Sequence, residues 1–370
     1  MKFLYITTIG GTMTFFRKLV RELIEVGHTV DIAANIDITD VPHEYYELGC
    51  KVHKISCVRT PFNKGNIVAV KQLKQIVANG NYDVVHCHTP IAAAVTRIAC
   101  KGARKQGLQV MYTAHGFHFY KGAPLVNWLL YYPVEKLCAR WTDVLITINQ
   151  EDYERAKKKL KAKRIEYVPG VGIDVSRFTD AVVDKPAKRN EIGVPEEAFL
   201  ILSVGELNHN KNHEVIIRAV AELNNPAIHY AIAGKGKLGE YLMEVATDLG
   251  VKDQFHLLGY RTDVPELYKC AEICAFPSIR EGLGLAAIEG IASGLPLVVS
   301  NNRGAQSYAV DNKNSIICPI GNNPTVYANA INRLLQDEQL RHMMREYNLQ
   351  TVSKYEVKNI NVRMKKIYGI

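Results

Sequence analysis

The chain has 370 residues, 47% of them hydrophobic, with 46 Lys and Arg against 37 Asp and Glu and a net charge of +9. That length suits two domains rather than one core, and the apolar fraction is enough to bury both. Eight cysteines are scattered without a CxxC pair, and no run has the composition of a disordered segment.

The first segment, "MKFLYITTIGG", turns polar too early for a secretory signal and reads as a strand. Gly10-Gly11-Thr12 then opens a helical stretch at 14–26. "TVDIAAN", "KVHKIS", "DVVHCHT", "QVMYTAH" and "DVLITI" continue a first series of strands, with amphipathic segments such as 67–78 between them. A second series follows: "FLILSVGEL", "IHYAIAG", "FHLLGY", "EICAFPS", "PLVVSN" and "SIICPIG". The last segment, 354–370, is helical in pattern. Strand–helix alternation of this kind implies parallel sheets covered by helices on both faces. Two series predict an α/β protein of two doubly wound, Rossmann-like domains. The first is 1–178, to which helix 354–370 returns, and the second is 179–353. The join is "VPGVGIDVSRF", 168–178, followed by a polar stretch.

The longest apolar run, 283–300, is interrupted by Glu289, by glycines and by Pro296, so a transmembrane helix is not expected and the chain reads as cytoplasmic. The charge is uneven. Residues 1–178 hold 25 Lys and Arg against 15 Asp and Glu, residues 179–353 hold 16 against 21, and residues 354–370 hold five against one. A basic domain suits an anionic membrane or a phosphorylated ligand, and no zinc-finger, RNP1 or KH pattern points to nucleic acid. "KKKLKAKR" (157–164) and the aromatic, apolar stretch 123–141 with Lys136 and Arg140 suggest peripheral contact with anionic lipid. The alternative is a buried helix and a solvated charge run.

Cys270 and Cys274, one helical turn apart, read as small buried apolar side chains. His86-Cys87-His88 ends an apolar strand and has no second ligand cluster at metal spacing, so no metal is expected there. In doubly wound sheets, ligands bind beyond the carboxyl ends of the strands. Five glycine-bearing loops fall at such ends: Gly10-Gly11, His115-Gly116, Gly205-Glu206, Gly234-Lys235-Gly236, and Ser278 to Gly284. "GKGKLG" (234–239) matches the dinucleotide fingerprint, which favours a nicotinamide-dependent dehydrogenase. However, it does not follow the first strand of its domain, and "FHLLGY" ends without the acid that should hold a ribose. Lys211, in "ELNHNKNH", can reach phosphate as a point charge.

In "REGLGLAAIEG" (280–290), a helix expected over 283–291 would place Glu281 and the amides of 282–285 at its N-terminus. Free N–H groups and the helix dipole there bind phosphate. Glu289 lies eight residues on, rotated by about 80° and advanced by roughly two turns. Two acids so placed cannot chelate one ion, but they can grip two parts of one long ligand through its hydroxyls. A diphosphate linking two sugars fits.

With E-x7-E in "SIREGLGLAAIEGIASGLPLVVS", the chain resembles retaining glycosyltransferases of family 4, with the GT-B fold of two Rossmann-like domains facing across a cleft. The resemblance also covers "IGGT", "DVVHCHTP", "TAHGFHFY", "YVPGVGIDVSRF", "SVGELNHNKNH", "AGKGKL" and "LGYRTDVPELY". "TAHGFHFY" is similar to the subgroup that builds exopolysaccharide, capsule or O-antigen repeats. The resemblance implies transfer of a sugar from a nucleoside-diphosphate sugar, such as a UDP-sugar, to a membrane-lipid-linked (polyprenyl) or other saccharide acceptor. No cofactor or metal is implied. It places Glu281 on the donor sugar's 3- or 4-hydroxyl and Glu289 on the nucleotide ribose. Gly282, Leu283, Gly284 and Leu285 would offer amides, Lys211 would balance the diphosphate, and Arg261 would lie by the base. Gly205, Glu206, Gly234 and Gly236 belong to the donor loops, and Gly11 would close over the phosphates. His115 would lie near the anomeric carbon, with His118 on the acceptor side. The family often has Arg where this chain has Glu206; Arg280 is a candidate replacement. The rivals are a nucleotide-sugar epimerase of similar fold, a phosphorylase, for which nothing singles out a pyridoxal-binding lysine, and a non-catalytic nucleotide-sugar binding protein.

Overall fold

Each apolar run predicted as a strand forms one, and every strand pairs in parallel with its sheet neighbours. The computed structural model describes every residue, Met1–Ile370. The chain divides into two units, Met1–Val171 with Asn361–Ile370, and Gly172–Ile360.

In the first unit the elements are β1 (Lys2–Ile9), α1 (Arg17–Glu25), β2 (Thr29–Asn35), α2 (Glu44–Glu47), β3 (Val52–Lys54), α3 (Lys64–Gly80), β4 (Val84–His88), α4 (Pro90–Cys100), β5 (Gln109–Ala114), α5 (Leu125–Ala139), β6 (Val144–Thr147), α6 (Gln150–Lys159) and β7 (Arg164–Tyr167). The seven strands are ordered β3-β2-β1-β4-β5-β6-β7. The chain builds outward from β1 on one side and then returns to place β4 on the other, so the switch point lies between β1 and β4. Inner strands are buried on both faces, which is why they read as unbroken apolar runs rather than alternating ones. The edge strand β7 was not expected: "RIEY" is short, charged and only half-buried.

The second unit contains α7 (Val175–Thr179), α8 (Lys185–Glu191), β8 (Phe199–Val204), α9 (Glu214–Leu223), β9 (Ile228–Ala233), α10 (Gly239–Asp248), β10 (Phe255–Gly259), α11 (Val264–Cys270), β11 (Ile273–Phe276), α12 (Leu285–Ala292), β12 (Leu297–Ser300), β13 (Ser315–Cys318), α13 (Pro324–Gln336), α14 (Glu338–Thr351) and the start of α15 (Val357–Tyr368). Its sheet order is β10-β9-β8-β11-β12-β13, with the switch point between β8 and β11. Ile201, Ile232, Ile273 and Val298 anchor its core, as Leu4, Ile6, Val85 and Val110 anchor the first. All eight cysteines are buried free thiols, Cys270 and Cys274 among them.

The boundaries differ from those expected. Residues 172–178 and 354–360 belong to the second unit because they bond to each other. Ile173 N–H donates to Tyr355 O and Val357 N–H donates to Ile173 O, at 2.9 and 2.8 Å. Gly172 has φ +77, and a Cβ there would sit 2.6 Å from Val357 Cα, so only glycine fits this crossing. From Asn361 onward α15 belongs to the first unit. The Tyr368 hydroxyl bonds to Tyr5 Oη (2.5 Å) and His86 Nδ1 (2.7 Å), and Lys365 pairs with Glu22 at 2.7 Å.

Candidate active site

The switch point of the second unit carries most of the predicted residues. After β8, Gly205 lets the Lys211 side chain lie across it; a Cβ at 205 would sit 3.3 Å from Lys211 Cε. The Lys211 ammonium rests 4.8 Å from the centroid of the Phe276 ring, at the end of β11, and bonds to Glu281 Oε1 at 2.7 Å. Both side chains are largely shielded, 19% and 15% exposed, so this pair is far less screened than a surface one. The cation and acid assigned from sequence to separate parts of a ligand are therefore one ion pair. Each keeps capacity: an ammonium has three donors and a carboxylate about four acceptor positions.

The helix after this loop starts at Leu285, not Leu283. Gly284 is its N-cap in the left-handed region, φ +100, and no side chain caps it. A Cβ on Gly284 would come 2.9 Å from the Phe276 ring and 3.0 Å from the Tyr308 hydroxyl, so glycine is required on two counts. The first-turn amides of Leu285 and Ala286 have no protein acceptor, leaving the positive end of α12 beside Lys211. Leu283 is buried and helps fix the turn. A loop that sequence reasoning missed supports it from β12. Asn302 Oδ1 accepts from Gly304 and Ala305 N–H, and Arg303 Nε donates to Glu281 O at 3.3 Å. Gly304 lies so close that a Cβ would sit 2.6 Å from Leu283 O. The glycine after a strand end in "NNRGAQ" was the available signal.

Glu289 lies further along α12 and is half-buried. Its carboxyl makes no hydrogen bond or ion pair, and desolvation pushes its pKa up to about 6, opposed only by the more distant Arg177 charge. This is not the internally partnered helix acid that a structural role would require. A desolvated carboxylate without donors is a site prepared for donors.

Other expectations changed. The glycines of "GKGKLG" serve loop-to-loop packing: a Cβ on Gly234 would strike Gly205 O, and one on Gly236 would strike Leu207 O. The tie is completed by Leu207 N–H donating to Lys235 O (3.0 Å) and Gly234 N–H to Gly259 O (2.7 Å). Arg261 is committed to Asp263 and Glu191, in a cluster that also holds Lys188, rather than standing free for a base. Glu206 is exposed and does not take Lys211 from Glu281. Arg280 is exposed too, and its carbonyl accepts from Asn210 Nδ2.

The switch point of the first unit has a different chemistry. Gly11 packs on the 39–41 loop, with Thr39 Cγ2 2.9 Å from where its Cβ would be. Thr89, after β4, has φ +66, a strained value for a β-branched residue, and its hydroxyl bonds to Thr8 Oγ1 at 2.6 Å. His88 Nδ1 lies 3.2 Å from His115 Nε2, and the His88 ring makes tilted contacts with Phe16 and His86, each with centroids 4.2 Å away. His86 bonds to Tyr368 Oη and Thr113 Oγ1. Burial lowers the pKa of His86 to about 3, that of His115 to about 4, and that of His88 well below the ordinary value, so all three are neutral at physiological pH. His88 Nε2 is buried without a partner. If His88 Nδ1–H donates to His115 Nε2, this leaves only an unused lone pair; the reverse would strand an N–H donor. The cheaper arrangement puts the His115 proton on Nδ1. His88 of "HCH" thus orients His115, and no three His, Cys, Asp or Glu side chains are grouped to hold a metal. His118 stacks on Tyr131 at 4.5 Å.

With this geometry established, comparison with known proteins is informative. Residues 184–351 match the family described as Glycosyl transferases group 1, and residues 9–177 match Glycosyltransferase Family 4. A Bacillus subtilis (strain 168) protein designated a glycosyltransferase, EpsD, is 34% identical over 349 residues, covering 93% of this chain and 90% of its own. The Escherichia coli UDP-Gal:alpha-D-GlcNAc-diphosphoundecaprenol alpha-1,3-galactosyltransferase is 28% identical over 317 residues, covering 82% and 81%. Among solved structures, Anabaena HepE in complex with UDP superposes with a TM-score of 0.83 over 100% of both chains at 19% identity. The two parallel sheets, the paired family matches and the relative aligned along nearly its whole length make the chain a GT-B glycosyltransferase of the family 4, group 1 class.

Proposed function

We propose that the protein is a retaining glycosyltransferase that moves a hexose from a UDP-sugar to a hydroxyl of a lipid-linked saccharide, at the cytoplasmic face of an anionic membrane, in cell-surface polysaccharide synthesis. The observation that carries this reading is the second-unit switch point. Lys211 and the uncapped N-terminus of α12 offer positive potential to a diphosphate, with Glu281 at one end and the partnerless Glu289 further along the helix. Support for a UDP donor and a lipid-linked acceptor comes from the Escherichia coli relative, whose name contains both. Retention is implied by the resemblance of E-x7-E. No helix is long and apolar enough to cross a membrane, and the basic excess of residues 1–178 supports contact at an anionic membrane surface.

In this reading the acceptor oxygen bonds to the anomeric carbon on the face that the diphosphate leaves. The carbon–oxygen bond to the β-phosphate breaks, and the acceptor proton passes to the departing phosphate oxygen. The protein's contribution is positioning and electrostatic stabilisation of the leaving diphosphate. Lys211 Nζ and the α12 amides hold the developing charge, Glu281 orients the sugar hydroxyls, Glu289 accepts from the ribose, and His115 Nδ1–H donates to the donor sugar or acceptor. No step requires a divalent metal.

The test is incubation with UDP-, GDP- and ADP-sugars and a polyprenyl-diphosphate sugar, reading acceptor-dependent release of nucleoside diphosphate and the product's anomeric configuration by NMR. Release of UDP with an α-linked product from an α-donor, undiminished by EDTA, is expected. An inverted product, or turnover lost in EDTA and restored by magnesium or manganese, would overturn the mechanism. Donor isomerisation without acceptor would make the protein an epimerase.

A further inference from the structure

α5 in the first unit carries an exposed apolar face in addition to its buried one. Its acid, Glu135, is buried, while Leu125, Val126, Leu129, Leu130, Val134 and Leu137 are exposed, Leu125 by 80% and Leu129 by 75%. A water-facing helix shows the opposite pattern. On its inner side α5 packs through Trp128, Tyr131, Tyr132 and Ala139 against the core, and Arg97 of α4, fully buried, donates two hydrogen bonds to Glu135, at 2.5 and 3.0 Å. With these contacts anchoring α5, its leucines face outward.

The same face borders a cavity of about 650 Å³, lined by α3, α4, α5 and the 116–119 loop. That volume is in the range of pockets that hold small ligands. Its walls are apolar, contributed by Ile67 and Val70, Ile91 and Ile98, and Leu130 and Val134, and Phe62 at its rim is 84% exposed. Lys71 and Lys74 also line it, and neither forms an ion pair. The surrounding sequence is strongly basic: residues 48–147 hold 13 Lys and Arg and only three Asp and Glu. Two of those acids are already paired, Glu135 with Arg97 and Asp143 with Arg104. An apolar trough with an apolar outer ridge and unpaired lysines on its wall complements one kind of molecule, a hydrocarbon chain carrying an anionic head.

We propose that the groove between α3, α4 and α5 takes the hydrocarbon chain of an anionic membrane lipid, with Leu125 and Leu129 entering the leaflet and Lys71 and Lys74 meeting the phosphate. The inference rests on the membrane contact of the proposed function and gives that contact a place. Gly116 to Phe119 form one wall of the groove, so a chain seated there leads to the loop that begins at His115.

The full-length chain is tested on vesicles of phosphatidylcholine alone or mixed equally with phosphatidylglycerol. The chain has two tryptophans, and in a Trp141→Phe background Trp128, on α5, reports alone. The expected result is binding that requires phosphatidylglycerol, with Trp128 emission quenched when the acyl chains are brominated. Leu125→Gln with Leu129→Gln should weaken binding at least tenfold and abolish the quenching. Lys71→Gln with Lys74→Gln should remove the preference for phosphatidylglycerol. Far-ultraviolet circular dichroism and melting temperature should match the parent in every variant and show that they fold, and UDP affinity, which reports on the other unit, should be unchanged. Binding without quenching, equal binding by the leucine variants, or a leucine-dependent dimer without vesicle binding would each overturn the proposal. Transfer to a lipid-linked acceptor by a protein that binds no vesicles would sink this inference and leave the proposed function standing. Vesicle binding with quenching but no transfer to any acceptor would do the reverse.

Discussion

The two units share a strand order and a switch point, yet they equip that point in opposite ways. In the second unit it is charged: Lys211 pairs with Glu281 beside an uncapped helix start, and Glu289 waits along the same helix without a partner. In the first it is neutral and aromatic: His88 and His115 pack against Phe16 at tilted angles, His86 packs on His88, and all three are discharged by burial. A charged site grips an anion and its hydroxyls. A neutral one offers oriented hydrogen bonds in a poorly hydrated setting and does not titrate between pH 5 and 8. The same scaffold thus supports two kinds of recognition, and the difference lies in a few side chains at strand ends.

Removing the cation tests the charged side most severely. Lys211→Ala should lower kcat/KM on the order of a hundredfold or more and weaken nucleoside diphosphate binding as well, since the ammonium meets the diphosphate before and during departure. It also leaves Glu281 unpaired, so a fall in melting temperature should accompany the loss. If affinity and turnover both stay within twofold of the parent, the charged switch point is not the donor site. Glu281→Gln keeps the shape and removes the charge. Turnover should fall by roughly tenfold to a hundredfold while nucleoside diphosphate affinity stays near the parent's. An affinity loss larger than the rate loss would place Glu281 on the nucleotide instead of the sugar.

The neutral side is sharpened by His88→Phe. The ring packing is preserved, but the hydrogen bond that sets the His115 tautomer is lost. Turnover should drop on the order of tenfold with unchanged nucleoside diphosphate affinity. Nitrogen-15 NMR should show His115 protonated at Nδ1 in the parent and mixed between its nitrogens in the variant. A parent already mixed would remove the positioning role.

Much of this arrangement was legible in sequence, for identifiable reasons. Buried parallel strands are unbroken apolar runs, so twelve strands could be read directly, whereas charged, half-exposed β7 could not. Lys211, Glu281 and Glu289 were findable because charge at a strand's carboxyl end is costly without a use. That Lys211 and Glu281 meet was not findable, because their contact crosses from the β8 loop to the β11 loop. Gly234 and Gly236 carried a phosphate-binding spacing, but what they approach is the 205–207 backbone, and spacing does not name the neighbour. Arg261 pairs with Asp263, two residues on, and with Glu191, which only the fold brings near. His88 was weighed as a metal ligand, and only its geometry reveals a hydrogen bond to His115.

Glu289 makes the smallest change and the sharpest contrast between the two sides, because function and stability should move in opposite directions. Its pKa is raised from the usual carboxyl value to about 6 by desolvation, so the folded protein holds the proton more tightly than the unfolded chain does. The stability this lends is fully present below the unfolded value and is lost as pH rises to about 6. Above that, the ionised carboxylate costs the fold about 1–2 kcal/mol. Glu289→Gln removes the cost and should therefore raise the melting temperature at pH 7.5, with the gain disappearing at pH 4. The same change should weaken nucleoside diphosphate binding severalfold to tenfold, since hydrogen bonds from a ribose to a carboxylate are stronger than to an amide. In the parent, affinity should fall as pH drops through 6, where Glu289 protonates and the already neutral histidines do not change. In the variant the part of that pH dependence that belongs to Glu289 should vanish, leaving the titration of the nucleotide's own terminal phosphate, whose second ionisation lies at about pH 6. A parent whose affinity changes with pH no more than the variant's does, or a Glu289→Gln protein that melts lower while binding UDP normally, would return Glu289 to a structural role and leave Lys211 and Glu281 as the whole of the charged site.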